Sequence, residues 1–433
     1  MLHGRVWQPG TVLVRAALVS AAYAVVAVVL GRPDLLVLAA PLLVHAVAAS
    51  LHRPQAVPSG QTWLGTDYVR EGEGTTVHAR FDDAGDAEHV LLAVTPHRWL
   101  VARPASGLVG ATSPPAESRV DVSIPVASMR WGRRRLGDGL VAATSPWAGY
   151  QWGPLPLFPQ DLTILPVPAP FDSRSASPHP IGLVGQHPSR RRGDGSEFES
   201  IRPYQPGDRL RRIQWRVSLR TGSIHVTSTV AEEDASVLLL VDTGVEVGRS
   251  GGVNGAPSTL DVAVRAAGAV AEHYLIRADR VGLRILGSTG RNAVHTAAGH
   301  RHLRRVLDTL ARIVPGENQD LNLAHMRFQV PAGSIVLVFS PMLSQAAVVA
   351  TTTLASRGLD VVVVDCLPPD LDLGVDDPRA LLAWRMRLLE REALLGRVRR
   401  SGIPVVEWRG RGTLDEVLRR LGRRAVRPKA GQR

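Results

Sequence analysis

Two apolar runs near the start of the chain constrain it most. Val12 to Leu30 carries one charge, Arg15, and Leu35 to Leu51 carries none, with His45 as its only titratable group. Gly31-Arg32-Pro33-Asp34 lies between them. Each run is near the lower limit of about 17 to 25 residues for crossing a bilayer as a helix. Two adjacent runs joined by a short polar turn, with no small-residue cleavage site before Arg32, predict a transmembrane helical hairpin over residues 1–53 rather than a cleaved leader. Arg5 and Arg15 flank the first run and His52-Arg53 follow the second, whereas the turn balances Arg32 with Asp34. By the positive-inside rule both ends and the soluble domains are cytoplasmic, in a two-span, multi-pass protein of the cell membrane. The lipid bilayer is thus the first expected partner.

The rest of the 433 residues exceeds what one core usually supports. Residues 57–170 hold short alternating apolar segments, Thr75 to Phe81, Val90 to Val94 and Val120 to Ile124, separated by Gly, Pro, Asp and Ser, with Leu162 to Val167 as a closing strand. This pattern predicts a β-sandwich domain. Residues 171–192, rich in Pro and Ser, read as a surface linker. From residue 231 to 423 strands and helices alternate: Val237 to Val241, Ile335 to Phe339 and Val361 to Asp365 are continuous apolar runs, as buried parallel strands are. Ile224 to Val230 before them alternates as a half-exposed strand. Val281 to Leu286 and Val405 to Trp408 add strands; Leu260 to Ile276, His300 to Val314, Gln345 to Arg357 and Pro378 to Arg400 have helical spacing. Thr413 and Glu416 form a capping box for a last helix to Leu421, before a basic tail at 424–433. Alternation of this kind predicts an α/β, Rossmann-like parallel sheet covered on both faces.

Between these domains, residues 193–230 form the densest polar and aromatic segment. It holds Glu197, Phe198, Arg202, Tyr204, Pro206, Gly207, Asp208, Arg211, Arg212, Ile213, Trp215, Ser218, Arg220, Thr221 and Gly222. Pro206-Gly207 supplies a turn, and Asp208 is expected to cap a short helix running through Trp215. Tyr204 and Trp215 are expected to pack this hub onto a sheet. Glu232 and Glu233 are expected to pair with its arginines. These residues, spaced E-F…R-x-Y-x-P-G-D…R-x-I-x-W…S-x-R-T-G, resemble the signature of the family called domain of unknown function 58 (DUF 58), membrane proteins with a von Willebrand factor A-like domain. Arg133 to Gly153, with its Ser145-Pro146-Trp147 loop, is similar to that family's approach to its second half. The resemblance implies a MoxR-type AAA+ ATPase as partner, with a transglutaminase-like membrane protein as a further companion, in a chaperone or assembly role.

A von Willebrand A-type metal site resembles D-x-S-x-S after the first strand, a Thr in a second loop and an Asp after a later strand. Here Asp242-Thr243-Gly244-Val245-Glu246 keeps the Asp and loses both serines, the middle loop offers Asn318 and Asp320, and the later strand ends in Phe339-Ser340-Pro341. Asp242, Thr243 and Glu246 are therefore a degenerate set, and neither Mg²⁺ nor another cofactor is expected. No phosphate loop, H-E-x-x-H pair or G-x-S-x-G elbow occurs. Fourteen histidines show no ligand spacing, and the single cysteine, Cys366, excludes an internal disulfide. The chain reads as a non-catalytic scaffold, with Asp242, Thr243, Glu246 and Ser340 at the strand ends as a partner-binding face.

Two other readings compete. From Arg379 to Arg433 sixteen basic residues face five acidic ones, which suits an anionic lipid or nucleic acid. Yet fifty of the fifty-one basic residues are Arg, beside abundant Ala, Val, Gly and Pro, a bias of genome composition, so no specific nucleic acid is expected. The other is a hydrolase with an unrecognised site around Asp242, Asp365 and Glu407.

Overall fold

The helices Thr11–Leu30 and Asp34–Leu51 turn small side chains toward each other and bulky apolar ones outward. Leu13, Ala16, Ala46 and Ala49 form their contact, while Val28, Val37 and Leu51 are exposed. Small residues let two backbones approach closely. Both helices are long and apolar enough to cross a membrane. Gly31, at φ +63°, ends the first, and Arg32 pairs with Asp34 across the turn at 2.8 Å. The computed structural model describes residues 6–95, 97–113, 118–136, 139–157, 159–169, 192–205, 208–230, 236–286, 293–314, 334–410, 412–413 and 415, with backbone alone for 192–199 and 228–230. The chain divides into two compact units, Met1–Leu165 and Pro166–Arg433.

In the first unit two antiparallel sheets face each other. One runs Gln8–Pro9, Tyr150–Pro156, Gly139–Thr144, His89–Val94, Leu108–Thr112; the other Ser59–Leu64, Gly74–Asp82, Arg119–Ser128, Leu100–Ala102. Alternate residues Val77, Ala79, Phe81, Val122 and Ile124 meet Val90, Leu92, Val141 and Trp152 in one core. Phe81 meets Trp152 edge to face, with ring centroids 6.3 Å apart. A further sheet joins Tyr68–Arg70, Gln160–Leu165 and Gly132–Leu136. The closing strand ends at Leu165 instead of Val167, because Pro166 and Pro168 have no N–H to give a ladder. Gln8–Pro9 pairs with Gln151 and Tyr150, so the sandwich joins the helical hairpin through a strand the sequence pattern did not suggest. Residues 171–191 of the expected linker 171–192, Glu232, Glu233, Asn318, Asp320, Glu416 and the basic tail lie outside the described residues.

The main sheet of the second unit has, among the described residues, six strands, β1 (Ser236–Asp242), β2 (Arg280–Leu286), β3 (Val294–Ala297), β4 (Ile335–Ser340), β5 (Asp360–Asp365) and β6 (Val405–Glu407), in the order 3-2-1-4-5-6. All neighbours are parallel except β3, which is antiparallel to β2. Every residue of β1 and β4 is buried, which is why each reads as an unbroken apolar run. Four helices cover the sheet: α1 (Thr259–Ile276), α2 (His300–Ala311), α3 (Gln345–Ser356) and α4 (Pro378–Arg400). Ser258 and Asp261 start α1 with a reciprocal capping box, Ser344 caps α3, and Asp377 with Pro378 starts α4. Leu238, Leu240, Val336, Val338, Leu354 and Leu395 form the core beneath α3 and α4.

The 193–230 segment is a hairpin, Arg192–Pro203 against His225–Val230, enclosing a turn of 3₁₀ helix at Leu210–Arg212 and the helix Trp215–Thr221. The helix therefore begins at Trp215 where it was expected to end, and Asp208 does not cap it. Leu240→Ala should cost the second unit about 2–5 kcal/mol, as truncation of a fully buried leucine does. Leu219→Ala, at a position 83 % exposed, should change stability by no more than about 0.5 kcal/mol in a denaturant titration. Equal costs would place Leu219 in a core.

Candidate functional site

Four polar residues stand in one row across the C-terminal ends of the strands: Asp242, Ser340, Asp365 and Glu407. Val241 pairs with Phe339, Ser340 with Asp365, and Asp365 with Glu407, so the row is set by ladder register. Asp242 and Ser340 end β1 and β4, between which the strand order reverses. That switch point is where open α/β sheets form their ligand crevice.

Here the crevice is closed from within. Ser340 Oγ donates to Asp242 Oδ2 at 2.6 Å, Ser344 Oγ approaches the same oxygen at 3.5 Å, and Gly244 N–H donates to Oδ1 at 3.0 Å. Burial pushes the Asp242 carboxyl above the ordinary carboxylate range even though all three donors favour the ionised form. Thr243 Oγ1 donates to the Leu286 carbonyl at 2.6 Å. Glu246 Oε1 accepts from Ser258 Oγ at 2.6 Å, at the cap of α1. The degenerate set Asp242, Thr243 and Glu246 is thus bonded to three different elements, the end of β4, the end of β2 and the cap of α1. Among the described residues no group of three or more His, Cys, Asp or Glu is placed to hold a metal ion.

Exposure changes the expected partner face. Asp242, Thr243 and Ser340 are at most 3 % exposed, and only Glu246 keeps partial access. They shape the loops from beneath and do not present a contact surface. The hydrolase grouping does not converge either. Asp365 forms a buried ion pair with Arg391 of α4, while Glu407 is exposed and pairs with Arg409 at 2.6 Å. Asp242 and Glu407 are three strand spacings apart, about 14 Å. Cys366, beside Asp365, is fully buried, and burial holds its thiol well above its usual range.

Arg391 is the residue sequence reasoning missed. Its Nε donates to the Pro341 carbonyl at 2.7 Å, so one guanidinium ties α4 to the loop after β4 and to the end of β5. The signal was present: Arg391, Leu394, Leu395 and Val398 are the buried stripe of α4, at spacings of three, four and seven.

The 193–230 hairpin has its own network. Arg202 grips Asp208 with two hydrogen bonds of 2.8 and 2.6 Å, and Asp208 also accepts from Gln205 N–H. The Arg202 hydrogen bonds hold Asp208 below its usual range and raise Arg202. Ser218, the one buried residue of the short helix, donates to Gln214 and His225 carbonyls and accepts from His225 N–H. Ile213 bridges to Val226, Tyr204 N–H donates to the Ile224 carbonyl, Thr221 Oγ1 bonds the Val217 carbonyl, and Gly222 at φ +71° ends the helix. Because Ser218 faces the hairpin, Trp215 and Leu219 point away. They are 63 % and 83 % exposed, so Trp215 does not pack the hub onto a sheet. Leu210 and Ile224 in the flanking turns are also exposed, as are Arg211, Arg216 and Arg220. Arg212 is half-buried. The side chains of Glu197 and Phe198, and Pro206 and Gly207 entirely, lie outside the described residues; Phe198 is in register with Thr229.

What fold and site define is an α/β domain whose strand-end crevice is filled by its own side chains, preceded by a hairpin that exposes an apolar and basic helix. Residues 200–378 match the model of a family described as a protein of unknown function, DUF58. An uncharacterized protein of Mycobacterium bovis is 31 % identical over 129 residues, which are 30 % of this chain and 40 % of that protein. Two uncharacterized proteins of Mycobacterium tuberculosis match to the same extent. The match spans less than half the length of these relatives.

Two outcomes check the closed crevice. A folded-state carboxyl raised above its unfolded value favours the fold in its protonated form; that contribution is complete below the ordinary carboxylate range and is lost as pH rises through the folded value. Asp242→Asn, which cannot ionise, should therefore gain stability relative to the wild type as pH rises from acid to neutral in parallel thermal melts. A difference independent of pH would sink this account. Asp365→Ala should cost about 3–5 kcal/mol by leaving Arg391 buried without its carboxylate, and Asp365→Ala with Arg391→Met should recover most of that loss.

Proposed function

We propose that this chain is a membrane-anchored, non-catalytic scaffold of the DUF 58 type, whose von Willebrand A-like domain and signature hairpin bind a protein partner. The observation that carries the reading is the exposed pair Trp215 and Leu219, four residues apart on one helix face and flanked by Arg211, Arg216 and Arg220. Exposed apolar side chains grouped in this way mark interaction sites, and tryptophan beside arginine is the composition of binding hot spots. The internal pairing of Asp242, Asp365 and Glu407 supports a role without catalysis, because their oxygens already serve the fold. The sheet order 3-2-1-4-5-6 supports the von Willebrand A-like reading of the second unit.

The partner class follows from the family resemblance: a MoxR-type AAA+ ATPase, with a transglutaminase-like membrane protein as a further companion. The outward Val and Leu side chains of the N-terminal helices support two membrane spans. The arginine distribution around them supports cytoplasmic soluble domains. Protease added to intact cells should then leave the soluble part whole.

Trp215→Ser combined with Leu219→Ser should weaken retention of the ATPase about tenfold or more in a pull-down repeated in each nucleotide state, at an unchanged melting temperature. Retention that survives this change, or an ATPase not retained in any state, sinks the reading. Loss of binding to anionic vesicles alone would move the function to the lipid surface, through Arg211, Arg216 and Arg220.

A further inference from the structure

We propose that Trp147 is a bilayer anchor: the Ser145–Gly149 turn of the sandwich inserts its indole at the boundary between headgroups and acyl chains beside the helix Asp34–Leu51. The inference rests on the reading of the two apolar helices as membrane spans.

Position carries it first. Gly10 N–H, at the start of the first helix, donates to the Gly149 carbonyl at 2.8 Å, and a Cβ on Gly149 would lie 2.8 Å from that of Ala49. The Trp147 ring meets the His45 ring edge to face, centroids 6.2 Å apart. At about 1.5 Å per residue, His45 lies about 9 Å inside the end of its helix at Leu51. The 18 residues of that helix reach about 27 Å, little less than a hydrocarbon core of about 30 Å, so no turn of it is left over to stand in water. A ring beside His45 therefore falls below the level at which the helix leaves the bilayer.

Conformation and chemistry point the same way. Trp147 and Ala148 both hold positive φ, +61° and +51°, a backbone that Gly or Asn occupies at far lower cost in a turn facing water. Strain of this kind persists where the surroundings over-determine it. Tyr150 N–H donating to Ser145 Oγ at 2.9 Å and Ala148 N–H donating to the Ser145 carbonyl at 3.0 Å do so here. The strained turn presents an indole that is 54 % exposed, whereas Trp152 of the adjoining strand is fully buried. An indole has a broad apolar face and one N–H, which suits the boundary between acyl chains and water.

The test uses the full chain in phosphatidylcholine nanodiscs. Cysteine replaces Trp147, Leu43 on the exposed face of the second apolar helix, or Leu108 at the opposite end of the sheet, where it pairs with Ala93 while Thr144 beside the turn pairs with His89. Cys366 is buried, so an environment-sensitive fluorophore labels the new thiol selectively. The Trp147→Cys label should lose emission to lipids bearing a nitroxide near the headgroup and resist aqueous iodide; the Leu108→Cys label should do the reverse. A Trp147→Cys label that behaves like Leu108→Cys while Leu43→Cys is quenched by lipid overturns the anchor and leaves the spans intact. An unquenched Leu43→Cys label overturns the span reading and the anchor with it. Trp147→Phe, which keeps an aromatic ring in the turn, gives a second readout: the share of tryptophan emission quenched by brominated lipid should fall, and an unchanged share overturns the proposal.

Discussion

The hydrogen bond from Ser340 to Asp242 joins the two strands between which the α/β sheet reverses direction. Everything at the strand ends depends on it. A doubly wound sheet opens at that point because the connections leave in opposite directions, and a ligand or ion ordinarily fills the opening. Here the hydroxyls of Ser340 and Ser344 and the N–H of Gly244 fill it, and the adjoining loop is pinned by Thr243 to β2. The same end of the sheet is held by Arg391, which answers Asp365 and the Pro341 carbonyl together. A self-satisfied end of this kind leaves none of these side chains free for a ligand.

The available surface is the hairpin ahead of the sheet. Its helix turns Ser218 inward, where three backbone partners on Gln214 and His225 surround one hydroxyl, and a side chain that small brings the helix close. The larger residues of the same helix are thereby forced outward. The exposure of Trp215 is a consequence of which residue anchors the helix. The arginine-rich surroundings are divided in the same way: Arg202 is committed to Asp208, while Arg211, Arg216 and Arg220 lie exposed.

Much of this architecture was legible in the residues. Strands buried on both faces declare themselves as apolar runs, and the helices between them through their apolar spacing, although the caps at Ser258 and Asp377 emerge only from the structure. The sandwich was harder because several of its strands are short or polar. Gly132–Leu136 is Gly-Arg-Arg-Arg-Leu, which carries no apolar alternation; it pairs antiparallel with Gln160–Ile164, and Arg133 meets Asp161 across that ladder at 2.7 Å. The candidate site was legible as a list of residues and illegible as a surface. Sequence placed Asp242, Thr243, Glu246 and Ser340 at the strand ends, where they are, but burial depends on loops from distant parts of the chain. Asp208 was read as a cap because local spacing allowed it; Arg202, six residues earlier, competes for the same carboxylate with two charged hydrogen bonds.

The six-stranded sheet is bounded by β3, of four residues, and β6, of three. Open edges expose unpaired backbone groups, and a long flat edge is a template for another chain. Two helices of bilayer length would confine copies of this protein to a plane, where collisions between like domains are frequent and similarly oriented. Among the described residues the edges are short, and short edges offer such neighbours little ladder to extend.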